Sequence, residues 1–297
     1  MSYLVQVQRG IDYIEDHLES DIDPAEVARH ARISQWHFQR IFKALTNETL
    51  KTYIRSRRLA GALDALVGSD RRIIEIAMAA GFETQESFTR AFKKAFGVNP
   101  AAYRRQGRRA QFLRKVRFDA EYLRHLHHGI SLEPELVELA DLELVGLPTR
   151  FFSVDSEKNN LAQKLPVLWD AFLPRLGEVE AAVAGTCYGV VRQTPELTDE
   201  LEYYAAIAVE RTAVVPRGMV TVHLPRARYA VFTHTGQVAR IDQTVNYIYS
   251  TWLASSGFRH TYAADLEIYD ARYNAASEHS VIRYAIPIAP GEPSESG

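Results

Sequence analysis

The sequence predicts a multidomain protein: an all-α N-terminal domain carrying two helix-turn-helix motifs, followed by an α+β C-terminal domain of two β-α-β-β repeats. Three observations lead there. Ser34-Gln35-Trp36-His37-Phe38-Gln39-Arg40-Ile41-Phe42-Lys43 recurs 50 residues later as Thr84-Gln85-Glu86-Ser87-Phe88-Thr89-Arg90-Ala91-Phe92-Lys93. The apolar period changes from helical to alternating near residue 135, and a strand-helix-strand-strand order then occurs twice. Charge changes with it. Residues 1–117 hold 21 Lys/Arg against 13 Asp/Glu, and the remainder holds 14 against 24. A basic front half suits a polyanionic partner and an acidic back half does not.

In chain order, Leu4, Val7, Ile11, Ile14 and Leu18 step by three and four residues and mark an amphipathic first helix. Asp23-Pro24 opens a second, with an acceptor at the N-cap and proline at the first helical position. Ser34 then caps the first repeat helix, whose buried stripe is Phe38, Ile41, Phe42 and Leu45. A long helix follows from about Leu50 to Leu66. Ile73 to Ala80 and a turn at Gly81 lead to the Thr84 cap and the second repeat helix, with stripe Phe88, Ala91, Phe92 and Phe96. Gly97 and Pro100 end that helix, and Ala101 to Arg105 forms a short last one. The domain is expected to span residues 1–107.

Residues 108–134 read as a linker. Arg108, Arg109, Arg114, Lys115 and Arg117 could add phosphate contacts. His125, His127 and His128 lack a Cys or carboxylate at ligand spacing, so no metal is expected. The second domain spans 135–290, with a tail at 291–297. Strands are expected at Leu142–Phe152, Cys187–Gln193 and Leu201–Val209 around a helix at about Asn160–Leu176. They recur at Arg228–Thr235, Asp265–Tyr273 and His279–Pro287 around a helix at Ile241–Ala254. Two such units packed sheet edge to sheet edge leave a concavity where they meet.

The front half resembles the AraC/XylS family of bacterial transcription regulators. The residues that carry the resemblance are Ile33-Ser34, the Trp36 to Lys43 run, Tyr53-Ile54-Arg55-Ser56-Arg57-Arg58, Ile76-Ala77, Ala80-Gly81-Phe82, the Phe88 to Lys93 run, Gly97, Pro100 and Tyr103-Arg104. It looks most like the branch in which the DNA-binding domain comes first and responds to toxic compounds. There, residues matching Trp36, Gln39 and Arg40 enter one major groove, and those matching Gln85, Thr89 and Arg90 enter the next. Glu86 departs from the glutamine often found at its position, and could accept from cytosine while repelling phosphate. The back half is similar to GyrI-like effector-binding domains, on Trp252-Leu253, Ser256-Gly257, Leu266-Glu267-Ile268-Tyr269 and Ile286-Pro287-Ile288. The resemblance implies that Glu267 sits in an aromatic-lined cleft that meets cationic, drug-like molecules.

The expected DNA-binding residues are therefore Gln35, Trp36, Gln39, Arg40, Lys43, Thr84, Gln85, Glu86, Thr89, Arg90 and Lys93. Polar side chains of these types suit base edges and phosphates. Trp36, apolar on a polar face, suits sugar or thymine methyl groups. Lys94 and Arg55 fit phosphate contact or plain solvation equally. The expected ligand-binding residues are Glu267 and Tyr269, which share a strand face, with Trp169, Tyr188, Phe232, Tyr249 and Trp252 as walls; each wall residue also suits ordinary core packing. A buried carboxylate is costly unless paired, and a cation among aromatics satisfies it.

The expected partners are a double-stranded DNA operator, a small-molecule effector and RNA polymerase, with no cofactor and no membrane. The single cysteine, Cys187, rules out an internal disulfide, and with no signal-like segment the expected location is the cytoplasm. Two readings from other classes stay open. The C-terminal domain could be a small-molecule hydrolase using Glu267, although no Ser-His-Asp or Cys-His set is assignable, or it could be a protein-interaction module.

Overall fold

A computed structural model describes residues 3–106, 133–196, 198–210, 214–275 and 277–291. Most of the expected linker, with its arginines and histidines, and all but the first residue of the tail lie outside the described residues.

The N-terminal domain is α1 (Tyr3–Asp16), α2 (Pro24–Ala31), α3 (Gln35–Thr46), α4 (Leu50–Gly68), α5 (Ile73–Ala79), α6 (Gln85–Phe96) and α7 (Pro100–Gln106). The caps act as the sequence implies: Asp23 accepts from the Ala25 amide, and Ser34 and Thr84 accept from the His37 and Ser87 amides. Two turns use left-handed backbone. Arg32 ends α2 at φ 58°, and Gly81 precedes α6 at φ 72°, where a side chain would be strained. The second helix-turn-helix has its own core of Leu59, Leu63, Ile76, Phe88, Phe92 and Tyr103. The first does not. Its cluster of Val7, Ile11, Ile14, Phe38, Phe42 and Tyr53 runs without interruption into C-terminal residues such as Phe232, Tyr249 and Ile286.

The C-terminal domain begins at β1 (Glu135–Leu139). Its first repeat is β2 (Leu142–Phe152), α8 (Leu161–Phe172) with a 3-10 extension through Glu178, β3 (Ala182–Gln193) and β4 (Glu200–Val209). After β5 (Val220–Leu224) comes the second: β6 (Ala227–Thr235), α9 (Ile241–Tyr247, continued by a π turn and a last helical turn to Ser255), β7 (Phe258–His260), β8 (Asp265–Tyr269) and β9 (Val281–Pro290). The repeats have the expected order; β1, β5 and β7 are additions that the sequence pattern does not mark.

The strands form one antiparallel sheet in the order β1-β6-β9-β8-β3-β4-β2-β5, with β7 on the end of β9. The repeats join edge to edge through β3 and β8, where Gly189 lies opposite Glu267. The sheet curls. Leu144, Val222 and Leu224 from one end share an apolar cluster with Tyr229 and Val231 from the other. The opposite face carries Tyr203, Gly189, Asp265, Glu267, Tyr269 and Tyr284 toward the helices, as the two-residue alternation and the strand register require.

Candidate functional site

The two repeat helices meet that sheet face at separate places, α8 over the first repeat and α9 over the second. Between them lies a polar centre built from three strands. Glu267 is half-buried and accepts hydrogen bonds at Oε2 from the Tyr203 hydroxyl (2.6 Å) and the Tyr269 hydroxyl (2.8 Å). The Trp169 indole on α8 donates to Tyr203 Oη at 3.1 Å, and its ring meets Tyr269 edge-on at 5.1 Å. Tyr273 packs edge-on against the far side of Tyr269 at 4.8 Å. Gly189 makes the arrangement fit, because a Cβ there would overlap both Tyr203 Oη and Glu267 Oε2. Burial raises the Glu267 pKa; the two phenols and Arg40 oppose the shift, and Asp265 adds to it. Among the described residues no Lys or Arg lies within ion-pair distance of this carboxylate.

A second carboxylate sits two residues earlier on the same strand face. Asp265 is fully buried. Its Oδ2 accepts from Tyr249 (2.7 Å) and Tyr284 (2.8 Å), and its Oδ1 is 2.8 Å from His260 Nε2. Burial works to raise its pKa, but His260, Arg40 and Tyr249 hold it below the ordinary value. His260 Nδ1 lies 3.0 Å from His37 Nε2, and His37 Nδ1 lies 2.9 Å from Ser34 Oγ. The Tyr262 amide also donates to His260 Nδ1. That atom is therefore an acceptor, so His260 Nε2–H donates to Asp265 and His37 Nε2–H donates to His260. His37 is neutral in this chain of bonds, its pKa held well below the ordinary value chiefly by burial.

His37 belongs to α3, so the first repeat helix of the N-terminal domain docks against this face. Trp36 is 1% exposed and packs in the cluster of Phe151, Leu168, Phe172 and Tyr203. Arg40 is 8% exposed, its guanidinium carbon 5.1 Å from the Trp36 ring centre and 4.9 Å from that of Tyr249. Its Nε lies 3.6 Å from Asp155 Oδ2, an ion pair without a hydrogen bond. Burial opposes the charge on Arg40, yet Tyr284, Asp155, Tyr249 and Asp265 around it raise its pKa overall. Since phenols are neutral at pH 7, the two carboxylates do this work. Lys43 Nζ donates to the Val154 carbonyl, and Thr49 and Thr52 donate to Glu157. Tyr3 Oη on α1 accepts from the His260 amide at 2.8 Å.

The expectation of an open reading face on both repeat helices therefore needs correction at α3. Trp36, Gln39 and Arg40 are buried, and Gln35 and Lys43 are half-buried, because the C-terminal domain covers that face. The matching face of α6 is open: Thr84, Gln85, Glu86, Arg90 and Lys93 are exposed and Thr89 is half-buried. A cavity of about 520 Å³ lies away from Glu267, in the cleft between the two helix-turn-helix units and the β2–α8 loop, with Gln35, Gln39, Arg55, Asp155 and Glu157 in its walls.

Of the expected effector residues, the structure gathers Glu267, Tyr269 and Trp169. Tyr249 stands beside them on Asp265. Three wall assignments are corrected. Tyr188 pairs with Ile268, so alternation points it to the opposite face of the sheet. Phe232 and Trp252 stack edge-on at 5.2 Å inside the second-repeat core. Tyr203, Gly189, Tyr273 and Asp265 were missed, although extending the Glu267/Tyr269 alternation back by two residues reaches Asp265.

The family model for integron-associated effector-binding proteins matches residues 135–288. The chain belongs to that family. A helix-turn-helix domain model matches residues 27–106 in front of it. The chain is 29% identical over 262 residues to the transcriptional regulator Rob of Salmonella typhimurium, covering 86% of this chain and 87% of Rob. It is 36% identical over 125 residues to the multiple antibiotic resistance protein MarA of the same species, covering 42% of this chain and 92% of MarA. Among solved structures, SAV2435 bound to tetraphenylphosphonium aligns with 53% of this chain and 94% of its own at a TM-score of 0.45 and 16% identity. This effector-binding family member is thus a DNA-binding transcription regulator of the AraC type with a GyrI-like effector domain. Its partners include DNA and a small molecule. No described helix is long and apolar enough to cross a membrane.

Proposed function

We propose that this regulator senses an aromatic organic cation at Glu267 and reads a DNA operator through α3 and α6, acting with RNA polymerase in the cytoplasm. The observation that carries the effector reading is the Glu267 carboxylate, ringed by Tyr203, Tyr269 and Trp169 with no cationic side chain paired to it among the described residues. A carboxylate in such surroundings is costly to keep charged. A delocalised cation offsets that cost through the carboxylate and gains cation–π attraction from the rings. On the DNA side, Arg90 on open α6 and Arg40 on α3 are the arginines placed at equivalent steps of the two repeats, and arginine is the commonest reader of guanine edges. The domains proposed are 1–107 for DNA and 135–290 for the effector.

Calorimetry on the full chain tests the effector reading with methyltriphenylphosphonium and its neutral near-isostere triphenylphosphine oxide. The cation should bind and the oxide should not. Glu267→Gln, which removes charge at constant size, should weaken the cation by about tenfold or more, since a charge-assisted contact contributes about 1.5–3 kcal/mol. Equal binding of cation and oxide, or equal binding by both proteins, would return Glu267 to a structural role.

A further inference from the structure

We propose that Trp36 and Arg40 of α3 are an internal occupant of the effector cleft, and that an aromatic cation entering the cleft displaces them and frees α3 for DNA. The proposal rests on the cation-sensing reading of Glu267 and adds how sensing reaches the DNA.

The chemistry of the two side chains matches that of the effector class. An indole in contact with a guanidinium is an aromatic surface joined to a delocalised cation. Trp36 lies in the apolar cluster that contains Tyr203, the phenol bonded to Glu267. Arg40 stacks on Tyr249, the phenol bonded to Asp265, and pairs with Asp155. The helix that carries them occupies the sheet face between α8 and α9, touching the first repeat through Trp36 and the second through His37 and Arg40. A cation of triaryl size bound against Glu267, Tyr203 and Trp169 competes with Trp36 for the same apolar wall.

Occupancy and DNA reading exclude one another. Base contact needs the side chains of Trp36, Gln39 and Arg40 in a major groove, and all three are buried against the C-terminal domain. The equivalent face of α6 stays exposed. The closed chain therefore offers DNA one reading helix, and the effector-bound chain offers two. The contact is also replaceable. Arg40 Nε and Trp36 Nε1 are buried with no hydrogen-bond partner among the described residues, so α3 leaves the cleft without breaking a hydrogen bond at either atom; what it gives up is the Arg40–Asp155 ion pair and the His37–His260 bond. Because the internal occupant must leave first, the apparent affinity for the cation is reduced by the fraction of chains that are open.

The test uses the full chain, methyltriphenylphosphonium, and a duplex selected from random sequence. Hydroxyl-radical footprinting follows Trp36, and fluorescence anisotropy follows the duplex. The expected result is that the cation turns Trp36 from protected to oxidised and tightens the duplex several-fold. Arg40→Ala should bind the cation several-fold more tightly than the wild type, because its competitor is gone. Asp155→Asn leaves α3 intact and removes the charge that pairs with Arg40, while the amide oxygen can still accept from the Ser153 hydroxyl. It should bind both the cation and, without cation, the duplex several-fold more tightly. If the cation binds while Trp36 stays protected and Asp155→Asn has wild-type affinities, the competition is overturned and the Glu267 reading stands. If no protein binds the cation, both fall.

Discussion

Acidification should open the contact between α3 and the effector domain, and His37 sets the size of the effect. In the closed chain His37 is fully buried, donating to His260 while Ser34 holds its other nitrogen. Burial pushes its pKa well below the ordinary value of 6.5, and His260 and Arg40 push it further the same way. The groups facing it are Arg40 and Trp36 on α3, Tyr249 on α9, His260 and Tyr262 around β7, and Asp265 behind His260. Released from the cleft, the ring regains an ordinary pKa of about 6.5. The sign follows. The closed state binds fewer protons than the open one, so its stability is complete above the open-state pKa and falls as pH drops below it. Between pH 7.5 and 5.5 one such histidine costs the closed state about 1.4 kcal/mol, about a tenfold shift toward the open form. Trp36 oxidation, measured without cation or DNA, should rise over that interval, and His37→Gln should flatten the profile. An unchanged Trp36 signal from pH 7.5 to 5.5 would refute the reasoning, as would a rise that persists in the glutamine variant.

Other substitutions separate the two halves of the mechanism. Gly189→Ala places a methyl group onto Tyr203 Oη and Glu267 Oε2; overpacking of this kind costs about 1–3 kcal/mol, and thermal unfolding should show it together with loss of cation binding. Arg90→Ala should relax base preference at one or two positions, costing about 1–3 kcal/mol on the selected duplex, with cation affinity unchanged. Lys94→Ala, also on the exposed face of α6, should weaken all duplexes alike and flatten the salt dependence of anisotropy-measured binding.

The helices of the N-terminal domain were legible because each signal is local. Caps at Asp23, Ser34 and Thr84, the positive-φ glycines Gly81 and Gly97, and the apolar stripes act within a turn or two of the residues that carry them. The repeats of the second domain were legible for the same reason. The short strands β1, β5 and β7 were not. β1 and β5 lie at the two ends of the sheet order and β7 off it, too short for alternation to mark. Glu267 and Tyr269 could be placed on one face from their spacing, and Trp169 joined them because α8 crosses that face. Tyr188 went wrong through register: Gly189, its neighbour, is the residue opposite Glu267, and a one-residue offset reverses the side of the sheet. Tyr203 could not be connected to Glu267 from sequence, since 64 residues separate them and only the β3–β8 junction brings them together.

The burial of α3 was invisible for a more general reason. A helix face of Trp36, Gln39, Arg40 and Lys43 suits the edges and phosphates of DNA. It suits equally well a protein surface that offers aromatic rings and carboxylates, because both partners satisfy the same groups: a π face for the indole, negative charge for the guanidinium, an acceptor for the ammonium. Asp155, Tyr249 and the Val154 carbonyl supply these in the closed chain. What distinguishes the two partners is completeness. In a major groove arginine donates two parallel hydrogen bonds to guanine, a pairing that contributes about 1–3 kcal/mol of discrimination. In the cleft Arg40 Nε makes none, and a buried donor left unmet costs about 1–3 kcal/mol. The protein contact is thus the weaker copy of the DNA contact at this residue. Apolar burial of Trp36, the His37–His260–Asp265 chain, the Lys43–Val154 bond and the core that the first helix-turn-helix shares with the second domain also hold α3 closed, and an effector that takes over the Trp36 wall removes the first of these.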